Sequence, residues 1–261
     1  MKPIMVGFLA VFSAAASASA QVQAPNPHAA MPERPTVGTH AGTVAPGWVE
    51  IEVGVEIDDY NRSSKSGVAS TAVKIGLAPR LQLNVQAPLA RPAGGVTGLG
   101  DALIGLKWRI VDSAPILGDF AIFPSVKFPS GSAAAGTGSG TTDVGLQFVS
   151  SHQFGDAALD LNLGFTRRSG DGGETPRNAS LWSASGGGPL RGRVGWSAEI
   201  YGYPATSGPA GSTAIVAVLV GPTCQVTDWL VLDAGIIAPI RGPQPRAIYA
   251  GFTYNVGSLG R

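Results

Sequence analysis

The feature that most constrains this chain is an alternation of period two. Val49, Ile51, Val53, Val55 and Ile57 alternate with Glu50, Glu52, Gly54 and Glu56. Leu81, Leu83, Val85 and Ala87 alternate with Gln82, Asn84 and Gln86. Ala102, Ile104, Leu106, Trp108 and Ile110 alternate with Leu103, Gly105, Lys107 and Arg109, and Leu159, Leu161, Leu163 and Phe165 with Asp160, Asn162 and Gly164. Successive side chains on a strand point to opposite faces, so each segment has one apolar and one polar face. After residue 20 no stretch fits a helical period better, and Gly and Pro punctuate the chain throughout.

Twelve such segments are predicted, near 47–57, 69–78, 81–88, 101–110, 119–128, 141–150, 157–166, 179–187, 193–202, 213–221, 228–237 and 246–256. Two are weak: 179–187 alternates little, and 213–221 is apolar on both faces. Most match the ~9–11 residues that a tilted strand needs to cross a bilayer. The connections alternate between long (58–68, 89–100, 129–140, 167–178, 203–212) and shorter (79–80, 111–118, 151–156, 188–192, 222–227), with a medium one at 238–245. A soluble sandwich has no reason for that rhythm. A transmembrane barrel does, since its periplasmic turns are short and its external loops long.

Alternation alone leaves two architectures open, because a sandwich buries its apolar face and a membrane barrel turns it to lipid. Strand length, loop rhythm and charge placement favour the barrel. Charged residues are 13% of the chain, about half the usual ~25%, and they fall almost wholly on the polar faces. A charge facing lipid at the midplane costs roughly 2–4 kcal/mol. The expected fold is therefore all-β: a transmembrane antiparallel β-barrel of about twelve strands over 47–261. Trp48, Trp108, Phe120, Phe128, Trp229 and Tyr254 lie near strand ends, where aromatic girdles sit.

Residues 1–20 read as a signal peptide: Lys2, an apolar run from Ile4 to Val11, and Ala18-Ser19-Ala20 ahead of Gln21. Residues 21–46 are rich in Pro and Ala without periodicity and read as a flexible periplasmic segment. With 18 basic and 17 acidic residues, removal of Lys2 leaves a formally neutral chain, which argues against nucleic acid as a partner. One Cys and three His leave no pattern for a metal or cofactor site. The expected setting is the outer membrane of a Gram-negative bacterium. The expected partners are outer-membrane lipid and a small solute of unknown identity, with the barrel monomeric.

The stretch GLGDALIGLKWRI, Gly98 to Ile110, with Gly100, Asp101, Gly105 and Lys107, resembles the hallmark of the outer-membrane family of the MetA pathway of phenol degradation. KFPSG (Lys127 to Gly131) and GTGSGTTDVGLQ (Gly136 to Gln147) are similar to that family's next hairpin. The resemblance implies a small outer-membrane barrel that passes hydrophobic or aromatic compounds. It brings no residue-level transport site.

An outer-membrane hydrolase needs a Ser and a His paired on the outer wall. His28 and His40 fall in the N-terminal segment. His152 falls in a predicted turn beside Ser151, whose side chain would diverge from it. No catalytic residues are assigned and no enzyme is expected. The glycine-rich run Gly136 to Gly140 lacks the Lys-Ser/Thr of a phosphate loop and reads as a flexible external loop.

Projecting the alternation inward places Glu50, Glu52, Glu56, Lys74, Asp101, Lys107, Arg109, Lys127, Asp143, Asp160, Arg193, Glu199 and Asp233 in the lumen. Mixed signs argue against strong ion selectivity. Two functions fit: a narrow passage for small solutes, or a closed barrel whose charges pair and fill it. Asp101 and Lys107 lie six residues apart, about 20 Å along a strand, too far to pair. Lys107 is expected to sit among carboxylates on neighbouring strands as a structural tie.

Overall fold

The computed structural model describes residues 26–60, 64–170, 176–207 and 213–260. The expected signal peptide lies outside the described residues, as do 21–25 of the segment that follows it.

Fourteen strands form one antiparallel sheet: β1 (Trp48–Tyr60), β2 (Ser64–Ala78), β3 (Leu81–Gln86), β4 (Leu89–Arg91), β5 (Gly98–Leu99), β6 (Ala102–Ala114), β7 (Gly118–Phe128), β8 (Asp143–Phe154), β9 (Ala157–Arg168), β10 (Asn178–Arg191), β11 (Val194–Tyr203), β12 (Ile215–Thr227), β13 (Leu230–Arg241) and β14 (Arg246–Ser258). Neighbours in sequence are neighbours in space, and β1 pairs with both β2 and β14, which closes the sheet. A closed ladder leaves no edge of unpaired N–H and C=O groups facing lipid. β4 continues β3, since β2 pairs with β3 up to Gln86 and then with β4 from Leu89. β5 precedes β6 in the same way. Pro88 sits in the first gap. It has no N–H to donate, and its carbonyl accepts the Gly100 N–H at 2.8 Å. The barrel therefore has twelve staves among the described residues, one hairpin of which is interrupted.

The faces follow the alternation. On β9, Leu161, Leu163 and Phe165 are exposed on the outer surface, and Asn162 between them is buried inside. Ile104, Leu106 and Trp108 on β6 also face out, whereas Lys107 is 0% exposed. Both weak segments are strands. β10 alternates poorly because it runs through Ser183, Ser185 and three consecutive glycines. β12 is apolar on both faces because the inner wall there is apolar. Its Ala217 and Leu219 pack with Tyr201, Ile237, Ala247 and Tyr249 in a lumenal cluster, with Tyr203 against it.

Residues 79–80, 115–117, 155–156, 192–193 and 228–229 are the short turns, at the end where β1 begins and β14 finishes. Gly155 and Gly192 open two-residue turns at φ of 60° and 59°, which matches the twist of the flanking strands. The strands outrun the expected boundaries. β1 and β2 extend through most of the 58–68 connection, and β12 through 222–227, so Cys224 lies in a strand and not in a turn. At the periplasmic rim His28 packs against Trp48 and Trp229, with ring centroids 5.1 and 6.0 Å apart, and Trp229 meets Tyr254 at 5.5 Å.

Candidate functional site: a threaded lumen

The N-terminal segment, expected to be flexible and periplasmic, enters the barrel at the rim near His28 and lies inside it up to residue 45. Ala41 and Val44 are fully buried, and Thr39 and Thr43 nearly so. The segment has no periodic pattern because it forms no ladder. The wall instead grips its backbone. Met31 N–H donates to Glu50 Oε2 and Glu33 N–H to Glu52 Oε1, both at 2.7 Å. Val37 and Gly38 N–H donate to the two oxygens of Glu199 at 2.6 and 2.7 Å. Asn162 accepts from Thr39 N–H and donates to Thr39 C=O, while Ala41 N–H donates to Ser151 Oγ at 2.8 Å. Val44 N–H donates to Gln82 Oε1 at 2.8 Å. The bonds to Glu50, Glu52 and Glu199 are charge-assisted, a kind roughly twice as strong as neutral ones. The fit is close at Gly38, where a β-carbon would meet Asn162 Nδ2 at 2.6 Å and displace the ends of the Asn162 and Ser183 side chains.

Below this grip lies a buried ionic cluster. Lys74 Nζ contacts Glu50 Oε1 at 2.5 Å and Glu52 Oε1 at 2.8 Å, and it donates to the Met31 carbonyl at 2.7 Å. Lys107 Nζ contacts Glu33 Oε1 at 2.5 Å, with Thr39 Oγ1 and the His40 carbonyl at 3.3 and 3.0 Å. Gln82 and Asn84 on β3 complete the shell around Glu33. Burial raises the Glu33 carboxyl, but the ammonium groups of Lys107 and Lys74 more than reverse this and hold it far below the usual carboxylate range. His40 is half-buried beside Lys107, and desolvation and that charge together lower its ring to about 3, so it is neutral at physiological pH. Lys107 is thus a buried tie to one carboxylate rather than one among several, and that partner, Glu33, comes from the N-terminal segment and not from a neighbouring strand.

Of the thirteen residues assigned to the lumen, Glu50, Glu52, Lys74 and Lys107 form this cluster, and Glu199 and Asp233 hold the segment higher up. Asp233 receives Arg34 at 3.2 Å. Glu56 faces the charges of Asp58 and Arg34. Asp160 accepts from Ser151 Oγ at 2.5 Å. Arg109 pairs with Asp112 at 2.9 Å near the periplasmic rim. Asp101, Lys127 and Asp143 form a separate group at the outer mouth, with Lys127 Nζ 2.9 and 3.2 Å from the two carboxylates. Asp101 lies just before β6, not within it. Its oxygens also accept the N–H groups of Gly131 and Ser139 at 3.1 and 2.8 Å. These bonds fasten the 129–142 loop, so Gly136 to Gly140 is a tied loop and not the flexible one expected. Arg193 is the one misplaced residue. It is exposed in the β10–β11 turn and donates to the Val226 carbonyl at 2.8 Å. The alternation ends at Val194, so projecting it one residue further put Arg193 on the wrong side.

His152 lies in β8, not in a turn, and it meets Ser150 rather than Ser151, at 2.9 Å on the outer wall. Ser150 Oγ already donates to the Leu117 carbonyl at 2.7 Å. Its proton is therefore committed to backbone, and the imidazole cannot act on it as a base in this arrangement.

The threaded segment divides the lumen in two. The outer chamber, about 570 Å³, is lined by Val68, Ser70, Pro88, Asp101, Phe123 and Lys127. The inner chamber, about 440 Å³, is lined by Ser151, Gln153, Asp160, Ser185 and Ser197. Arg34 and Thr36 line both, so the segment forms the partition there, and a third cavity of about 270 Å³ lies beside the outer chamber around Leu103, Asp143 and Tyr203. Sequence reasoning missed this segment because most of its bonds come from backbone N–H and C=O groups, which leave no mark in residue type. One signal was available: Glu50, Glu52, Glu199 and Asp233 outnumber the cations on adjoining strands, and buried carboxylates need donors from somewhere.

The fold is similar to two solved outer-membrane barrels. A COG4313 outer membrane channel from Pseudomonas putida F1 matches with a TM-score of 0.60 at 14% identity, over 82% of this chain and 97% of that one. The KdgM porin matches with a TM-score of 0.53 at 11% identity, over 78% and 98%. No curated protein matches in sequence. The model of the family described as "Putative MetA-pathway of phenol degradation" matches residues 33–255, so the chain belongs to that family.

Proposed function

We propose that this member of the MetA-pathway family is a channel of the bacterial outer membrane for small solutes, with its own N-terminal segment as the gate. It is exported through a cleaved signal peptide and works as a monomer in lipid. The observation that carries this reading is the pair of chambers separated by a single segment. Little material needs to move to join them, and what holds the segment is mainly hydrogen bonds and ion pairs, with one small apolar contact of Ala41 on Ala121 and Val149. The apolar inner wall around Tyr201, Leu219, Ile237 and Tyr249 supports solutes with an apolar or aromatic body. No catalytic step is part of this reading. The rival reading is a closed barrel without transport, for which the buried Lys74 and Lys107 cluster speaks.

The test compares single-channel conductance of the full mature chain with that of a variant lacking residues 26–41, each first shown to be a folded barrel by heat-modifiable migration. The channel reading expects small, intermittent conductance for the full chain and a larger, steady one for the variant. No conductance from either protein would support the closed barrel, and equal, steady conductance from both would refute the gate.

A further inference from the structure

Arg34 occupies a recess in the inner wall that is built more like a binding site than like a chance salt bridge. Its guanidinium lies flat on the β1–β14 ladder at Gly54 and Gly251, which are direct partners in register. A β-carbon on Gly54 would fall within the guanidinium, and one on Gly251 would meet Arg34 Nε and Nη2 at 2.6 and 2.7 Å. A side chain at Gly54 would therefore fill the space that the planar cation now takes, whereas one at Gly251 would first meet the Val53 carbonyl, at 2.5 Å. The adjoining strand supplies the anion: Nε and Nη2 donate to the two oxygens of Asp233 at 3.3 and 3.2 Å, the fork-to-fork pairing that a guanidinium makes and an ammonium cannot.

A second observation is independent of Arg34. Tyr249, on the strand that carries Gly251, is 5% exposed, and its hydroxyl has no hydrogen-bond partner among the described residues. That hydroxyl stands over Gly221 and Gly235, where a β-carbon would meet it at 2.6 Å or closer. It lies within electrostatic range of both Asp233 and Arg34. A buried hydroxyl without a partner is left with its desolvation cost unrepaid. Arg34 leaves it unsatisfied, whereas a ligand larger than a guanidinium head could reach it. Beyond it the wall turns apolar at Ala217, Leu219 and Ile237.

We propose that this recess is a binding site for a guanidinium-bearing small molecule, and that Arg34 is its resident occupant. Asp233 takes the cation, Gly54 and Gly251 form the floor, and Tyr249 takes a polar atom further along the ligand. Because Arg34 also forms part of the partition, a ligand that displaces it loosens the gate. That last step rests on the channel reading. The binding itself does not.

The experiment uses the full mature chain in detergent, with methylguanidinium and methylammonium as probes and ligand-observed saturation-transfer NMR as the readout. Arg34→Ala vacates the recess and should bind methylguanidinium about tenfold more tightly than methylammonium. Adding Asp233→Asn should abolish that binding. Arg34→Lys keeps the charge in place, and should yield to methylguanidinium at lower concentration than the parent does. Binding that survives Asp233→Asn, or no preference between the two probes, would overturn the site. Conductance in planar bilayers separates the two readings: that of Arg34→Ala should rise over the parent, and methylguanidinium, which fills the recess without tethering the segment, should raise the parent's conductance and leave that of Arg34→Ala high. Binding without any rise in conductance would leave the site standing and sink the gate.

Discussion

Replacing Lys107 by Met leaves the length of the side chain and removes its charge. Lys107 is wholly buried and contacts one carboxylate, Glu33, besides Thr39 Oγ1 and the His40 carbonyl. Breaking a buried ion pair by removing one partner costs about 3–5 kcal/mol, because the other charge stays buried. Here Glu33 keeps Gln82 and Asn84 as donors and has Lys74 at 3.9 Å, which places the loss near the lower bound. At roughly 2–4 °C per kcal/mol for a chain of this size, the heat-modifiability transition should fall by about 6–12 °C. Conductance should rise in the same variant, since the lost contact is with the gate. Adding Glu33→Gln removes the orphaned charge and should recover part of the stability. The rival assigns Lys107 to solute contact, and expects unchanged melting with altered conductance. That outcome, or strict additivity of Lys107→Met and Glu33→Gln, would refute the reasoning.

Two further predictions follow from the same geometry. Leu161→Arg places a charge on the lipid face, at roughly 2–4 kcal/mol if it lies near the midplane, and should reduce the folded barrel recovered from vesicles. Asn162→Arg, one residue on, points inward and should spare insertion but expel Thr39 and raise conductance; equal loss of folded barrel from both would mean the faces are misassigned. His40 is held neutral in the docked segment, with its proton affinity lowered from the ordinary histidine value to about 3. The released segment therefore binds one more proton between about pH 6.5 and 3. Docking should weaken by about 1.4 kcal/mol per pH unit across that window. Conductance of the parent should thus gain more on acidification from pH 7 to 5 than that of His40→Gln, and parallel pH profiles would refute it.

The wall of this barrel was legible because lipid and lumen impose opposite demands on neighbouring residues. Leu161 and Asn162, or Leu106 and Lys107, announce their faces by chemistry alone. Legibility faded where those demands relaxed. β10 carries residues too small to declare a face, and β12 lines an apolar stretch of lumen, so both of its faces read alike. The family-like stretches also made physical sense after the fact. Asp101 from the first and Lys127 from the second meet at the outer mouth and tie down the 129–142 loop between them. The interior was legible only by half. Alternation pointed twelve of the thirteen charges inward correctly, but it could not say what they hold. The occupant of Glu199 is two backbone N–H groups, and that of Lys107 is a carboxylate from a segment that looks like a linker. Contacts made by backbone leave no mark in residue types, and a segment outside the ladder has no period to betray it.

The central claim is that solute crosses this barrel when residues 26–46 move. The most direct measurement fastens them. Ala41 packs against Ala121 and Val149 on the inner wall. A disulfide between Ala41→Cys and Val149→Cys, in a chain whose own free Cys224 is replaced by Ser, would pin the segment to β8. Swelling of proteoliposomes in a gradient of a small solute should be absent with the bridge formed and return on reduction. Equal swelling in the oxidised and reduced states would contradict the account.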